Sequence, residues 1–280
     1  MKTSINSANQ FIRPANCAGR FYPADAGQLR RNIETCLAAV SPTVGGVPKA
    51  IIAPHAGYVY SGPIAASAYA CLRAGTQTIR RVVVIGPSHY SDFEGVATSA
   101  ADAFESPLGV VPLDAAAIAI ARQMPQVIVS EEAHLPEHSI EVHLPFLQVV
   151  LESFRLVPLL VGQASEDEVS EVLDVLWGGE ETVIVVSSDL SHYHDYATAC
   201  KLDLQTSRAI ESLAGERIEN SVACGCRPIR GLLRAARQHH LRCRNVDLRN
   251  SGDTAGSRDR VVGYGAFVLA GSSREVEVPC

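Results

Sequence analysis

Ile51-Ile52-Ala53-Pro54-His55-Ala56-Gly57-Tyr58 and, further along, Val82-Val83-Val84-Ile85-Gly86-Pro87-Ser88-His89-Tyr90 follow one plan. Each begins as a short apolar run rich in β-branched residues, the pattern of a strand buried on both faces, and each stops at a Pro/Gly turn that carries a histidine. A third run, Val183–Val186, empties into Ser187-Ser188-Asp189-Leu190-Ser191-His192 and brings a carboxylate and another imidazole to the same kind of position. Working outward, strand signals fall at Ala50–Ala53, Arg81–Gly86, Leu156–Val161, Thr182–Ser188 and Val261–Leu269. Helix-like stretches separate most of them: Pro63–Arg73, with Pro63 at the first helical position and Gly75 as the stop, then Asp114–Gln123, Glu166–Leu176, Tyr196–Leu213 and Pro228–His239. Strands alternating with crossover helices predict an α/β protein, a three-layer α/β/α sandwich with a largely parallel central sheet, with ligands at the carboxyl ends of the strands. No repeat or long linker divides the chain, and Ser41–Gly46 reads as a short loop, so a single domain over residues 1–280 is expected.

Composition narrows the function. With 47% hydrophobic and 19% charged residues, the 280-residue chain has the makeup of a folded protein. The formal charge of −6 comes with no basic block beyond pairs such as Arg30-Arg31 and Arg80-Arg81, which argues against nucleic acid as a partner. No apolar run approaches the roughly 18 residues of a membrane span. The opening MKTSINSANQ lacks an apolar signal region, so a cytoplasmic protein is expected, and its eight cysteines are read as reduced thiols.

Three imidazoles arriving from separate strand ends point to a transition metal more than to acid–base chemistry alone, which needs only one or two. His55 and His89 are the leading candidates. A further donor is offered by Cys224-Gly225-Cys226-Arg227-Pro228, where a helix N-terminus is expected to lower a thiol's pKa; spacing does not separate Cys224 from Cys226, and buried small hydrophobes or a Cys-x-Cys redox pair are alternative readings. In Glu131–His143, helical spacing would put His138 and Glu141 on one face, with His143 pointing elsewhere, while Glu131, Glu132 and His134 read equally well as a solvated turn. Asn250–Gly256 reads as a loop and His239-His240 as a helix end. There is no GxSxG, HExxH, GxxxxGK[ST] or strand-to-helix GxGxxG motif.

Taken in order, AGRFYPADAGQL, PHAGYVYSGPIAASAY, GPSHY, EHSIEVHLPF, SSDLSHY, CGCRPIRGLL and VVGYGAFVL, spread over Cys17 to Leu269, resemble the Memo family, known in prokaryotes as AmmeMemoRadiSam system protein B. That family is similar in fold to LigB-type class III extradiol dioxygenases. The resemblance implies metal ligation by His55, His89 and Cys224, with Asp189 and His192 in the pocket, His192 as general acid/base and Asp189 or a neighbour fixing its tautomer. His138, Glu141, Tyr90 and Ser191 are expected around them. A thiolate in place of the LigB-type carboxylate suits mononuclear iron or copper ahead of zinc. The implied activity is that of a metal-dependent oxidase or dioxygenase-like enzyme with a small-molecule substrate. The alternatives are a peptide- or phosphopeptide-binding module, or an accessory protein beside radical SAM and AMMECR-type partners.

Overall fold

The computed structural model describes residues 10–42, 45–219 and 221–271. The stretch read for a leader lies outside them except for its last residue, as do Thr43 and Val44 of the Ser41–Gly46 loop and Cys280. The strands are β1 Ile12–Arg13, β2 Ala50–Ala53, β3 Arg81–Pro87, β4 Val96–Thr98, β5 Ala103–Ser106, β6 Gly109–Pro112, β7 Val127–Val129, β8 Arg155–Val161, β9 Thr182–Ser187, β10 His192–His194, β11 Leu241–Asn250 and β12 Val261–Gly271. The helices are α1 Ala26–Ala38, α2 Tyr58–Tyr69, α3 Ala115–Ala121, α4 Glu131–His134, α5 Leu144–Val150, α6 Glu166–Val175, α7 Tyr196–Glu211 and α8 Cys226–Gln238.

A nine-stranded sheet runs in the order β10-β12-β2-β9-β3-β8-β4-β7, with β11 also paired to β12. Its centre, β2-β9-β3-β8, is parallel. Both flanks change direction, β12 running antiparallel to β2 and β4 antiparallel to β8. The central strands are where the sequence showed unbroken apolar runs, and Val82, Val83, Val84 and Ile85 are completely buried, as a strand covered on both faces requires. Helices α1, α2 and α5 pack together, α6 packs on α8, and both sets lie against the sheet. A small sheet, β1-β5-β6, ties the N-terminal segment to the body. No helix among the described residues is long and apolar enough to cross a membrane.

Local chemistry sets the element boundaries. Ser165 and Glu168 form a reciprocal capping box that starts α6, and the Asp114 and Asp195 side chains accept the backbone N–H groups that open α3 and α7. Pro63 does not start its helix: α2 begins five residues earlier, at Tyr58, and carries Pro63 inside. The carbonyl that loses its partner belongs to Val59 on the exposed first turn, where the interruption costs least. The helical spacing expected for His138 and Glu141 is not realised either, because His138 lies in an irregular stretch, Ser139 and Ile140 form a turn and Glu141–His143 is a single 3-10 turn. The sequence reading also missed β11, whose charged residues obscure an edge strand packed against α7 and α2.

Candidate metal centre

The parallel strands β2, β3 and β9 all point their carboxyl ends to one edge, so the turns that follow them deliver His55, His89 and Asp189 to a common place. The loop after α4 brings His138 to the same point. One nitrogen from each of His55, His89 and His138 falls within 4.8 Å of the others. The rings of His89 and His138 stack, centroids 4.5 Å apart, and His55 meets both edge-on at 5.1 and 5.2 Å. Phe21 covers the other face of His138 at 4.6 Å. Two glycines make the approach possible. A Cβ on Gly86 would lie 2.8 Å from Ser139 Oγ, and one on Gly225 would lie 2.5 Å from the Ser187 carbonyl oxygen.

Hydrogen bonds fix which nitrogens face inward. Ser187 Oγ donates to the Ser139 carbonyl at 2.6 Å, so it accepts from His55 Nδ1, also at 2.6 Å, and the lone pair of His55 is left on Nε2. His89 Nδ1 lies 2.9 Å from Glu137 Oε1 and its backbone N–H donates to Glu137 Oε2 at 2.6 Å. A carboxylate on Nδ1 orients that ring and makes its other nitrogen a better donor, the arrangement that supports histidine ligands to metals. Glu137 also accepts the backbone N–H groups of His138 and Ser139, and His89 and these bonds hold its carboxyl down at about 2 against the opposing effect of burial. His138 Nδ1 is buried without a hydrogen-bond partner, although it comes within 3.2 Å of Glu137 Oε1. Burial, reinforced by the neighbouring histidines, pushes His55 well below the ordinary imidazole range, and burial together with His89 brings His138 to about 4. Both are neutral at pH 7, the form that binds metal. Two pre-oriented imidazoles and a third with an unsatisfied buried nitrogen fit a transition-metal ion.

Cys224 stands beside this group. Its Sγ is 3.2 Å from His55 Nε2 and accepts the Asp189 backbone N–H at 3.3 Å. Contrary to the lowering expected at a helix N-terminus, burial and then the Asp189 carboxyl push its thiol far up, so without a cation it stays protonated. The structure separates the two cysteines that spacing did not: Cys224 lines the cavity, while Cys226 is 3% exposed and belongs to the apolar core. Asp189 Oδ1 accepts the His55 backbone N–H at 2.8 Å, and burial raises its carboxyl to about 7. No hydrogen bond joins it to His192 among the described residues; burial lowers the pKa of that imidazole, and the backbone of Leu190, next to Asp189, pulls it the other way.

These residues floor a cavity of about 660 Å³, with Phe21, Tyr60, Tyr90 and Tyr193 on its sides. Glu141 and Ser191, expected in it, are elsewhere. Glu141 is fully buried, accepting from Arg13, Asn16, Cys17 and Tyr22, and Ser191 is 1% exposed with its N–H on Asp203. The sequence reading missed Glu137 and Ser187, the two groups that set the ring orientations. A carboxylate next to His138 in the sequence was the only local signal for Glu137.

The family model described as Memo-like protein matches residues 13–268. A MEMO1 family protein of Methanothermobacter thermautotrophicus is 36% identical over 277 residues, covering 90% of this chain and 98% of the relative. Those of Methanopyrus kandleri and Aquifex aeolicus are 37% and 34% identical, each over 90% of this chain and 96% and 97% of their own. A solved structure of an uncharacterized Escherichia coli K12 protein aligns with 77% of this chain and 98% of its own at 14% identity and a TM-score of 0.49.

Proposed function

This chain belongs to the Memo-like protein family, and from that premise we propose that it is a cytoplasmic, mononuclear iron- or copper-dependent oxidase or dioxygenase-like enzyme acting on a small molecule. The observation that carries the reading is the convergence of His55, His89 and His138, two of them with Nδ1 already engaged by Ser187 and Glu137. Imidazole donors with a thiol in reach suit iron and copper better than magnesium or calcium. An ion held there would supply Lewis-acid activation and redox chemistry with dioxygen.

The chain's own groups do the rest. His55 and His89 would hold the ion, with His138 or Cys224 as the third donor. Glu137 and Ser187 keep the first two rings aimed. His192 is half-buried at the cavity wall, its pKa lowered mainly by burial, and takes or gives the substrate proton. Asp189, able to carry a proton near pH 7, stands 4.0 Å from His55 Nε2 as a second proton reservoir.

Elemental analysis of protein purified without added metal, followed by O₂ uptake with candidate phenols and thiols, tests this reading. His55→Ala and His89→Ala should abolish stoichiometric metal with the fold intact; full occupancy in both variants overturns the site. Comparing His138→Ala with Cys224→Ser assigns the third donor. His192→Ala should keep the metal and lose about 10²–10⁴-fold in turnover. Metal-loaded wild-type protein that consumes no O₂ with any substrate would refute the enzyme reading in favour of a binding module.

A further inference from the structure

The mouth of the cavity has its own construction. Strand β10 pairs with β12, but the register slips between His192 and His194, which leaves Tyr193 as the extra residue of a bulge. Tyr193 has φ +61°, a left-handed conformation that is sterically unfavourable for a bulky non-glycine residue, and the residue is 64% exposed. Bulges re-aim side chains, and this one turns an aromatic ring over the entrance next to His192, ring centroids 5.8 Å apart. The guanidinium of Arg260, just before β12, lies 5.3 Å from the Tyr193 ring centroid, and both residues line the cavity. Nearby Arg258 is engaged with Asp253 as well as with Tyr196. Arg260 has no carboxylate partner among the described residues, and Asp259 beside it accepts from the Ser257 hydroxyl.

We propose that Tyr193 and Arg260 form the recognition edge of the histidine cavity and select a small organic anion, a carboxylate or a phosphate monoester carried on a flat apolar body. The inference rests on reading this cavity as the substrate site. A guanidinium held against an aromatic face keeps the donors of its fork free, and that fork matches the two oxygens of either anion. Phe21, Tyr60 and Tyr90 supply apolar walls for the body. The anionic end at the mouth leaves the opposite end of the molecule directed at the imidazoles. Without strain at Tyr193 the ring would follow the strand and leave the guanidinium unsupported.

The test uses benzoate, phenyl phosphate and neutral benzyl alcohol as probes, titrated into chelator-treated full-length protein at low salt and followed by ligand-observed NMR. At least one anion should bind about ten-fold or more tightly than benzyl alcohol. Benzoate ahead of phenyl phosphate marks a carboxylate site, and the reverse a phosphate site. Arg260→Gln should erase the preference, Arg260→Lys should retain part of it, and Tyr193→Gly should weaken it several-fold. Arg122→Gln, on the exposed end of α3, should leave it unchanged. Equal binding of anion and alcohol, an unchanged preference in Arg260→Gln, or no anion binding at millimolar concentration overturns the proposal. Metal content measured on the same samples judges the oxidase reading separately, because the anion preference is read without metal.

Discussion

Glu137 and Glu141 lie one helical turn's worth of sequence apart, are both buried, and each accept four hydrogen bonds, yet they serve different parts of the molecule. Glu141 takes the backbone N–H groups of Asn16 and Cys17, the Tyr22 hydroxyl at 2.6 Å and the Arg13 guanidinium at 2.7 Å. Arg13 in turn donates to the carbonyls of His134, Leu135 and Glu137. This is a clasp between the N-terminal segment and the Glu131–His143 loop. Glu137 spends its bonds on His89, His138 and Ser139, all in or against the candidate metal centre. The same side chain in the same loop is a fastener in one place and an aiming device in the other, and what differs is only which segment packs opposite.

The largest expected effect comes from the clasp. Arg13 and Glu141 have side chains 1% and 0% exposed, so Arg13→Ala leaves a carboxylate in the interior without its cation. Loss of one partner of such a pair costs about 3–5 kcal/mol, and urea unfolding should show it. A loss under about 1 kcal/mol would mean that the two acidic residues are not distinguished in the way described. The next effect sharpens the contrast from the other side. Glu137→Gln keeps the shape and an acceptor oxygen but removes the charge on His89 Nδ1. Metal affinity should fall about 10–100-fold, the usual worth of an outer carboxylate on a histidine ligand, and because the amide nitrogen must face an N–H that Glu137 accepted, stability should fall by about 1–3 kcal/mol, less than for Arg13→Ala. A stability loss as large as that of Arg13→Ala, with metal affinity intact, would reverse the two roles.

These contrasts also show what the sequence could disclose. The parallel centre of the sheet was legible because strands covered on both faces cannot alternate polar and apolar residues, and β2, β3 and β9 fall within a residue of their expected limits. His55 and His89 were legible because a strand end followed by Pro and Gly puts its next polar residue on the carboxyl edge. Glu137, Ser187 and Arg13 were not, because their roles depend on partners 48, 132 and 128 residues away. Local periodicity carries no information at such separations. It also misassigned Glu141, whose helical spacing from His138 was never formed. Tyr193 escaped for a related reason: a bulge is a property of two strands, and β10 alone shows only His-Tyr-His.

The smallest expected effect separates the two regions by their response to protons. His134 belongs to the clasp, since its carbonyl accepts Arg13 Nε, and its ring is 1% exposed with Nε2 3.1 Å from the Ala97 carbonyl. Burial lowers its pKa from 6.5 to about 4, with Ala97 pulling the other way. A histidine depressed in the folded state stabilises the fold fully above its unfolded pKa. As pH falls, the unfolded chain takes up the proton first, so the contribution is lost progressively between pH 6.5 and 4. For one such group the loss from pH 7 to pH 6 is about 0.7 kcal/mol. His134→Gln keeps an N–H for Ala97 and cannot titrate, so its unfolding free energy should fall by that much less over the same interval. His138 and His143 are depressed as well and contribute to the wild-type slope, but they remain in the variant and cancel in the difference. Because His134 lies outside the metal-binding set, the difference should be the same with chelator and with saturating metal. The part of the slope due to His138 should extend to lower pH on metal addition if that ring is a ligand, because the ion keeps it unprotonated in the folded state below its metal-free pKa of about 4. A His134→Gln difference that vanished on adding metal would place His134 in the centre and dissolve the boundary between the two carboxylates' domains of influence.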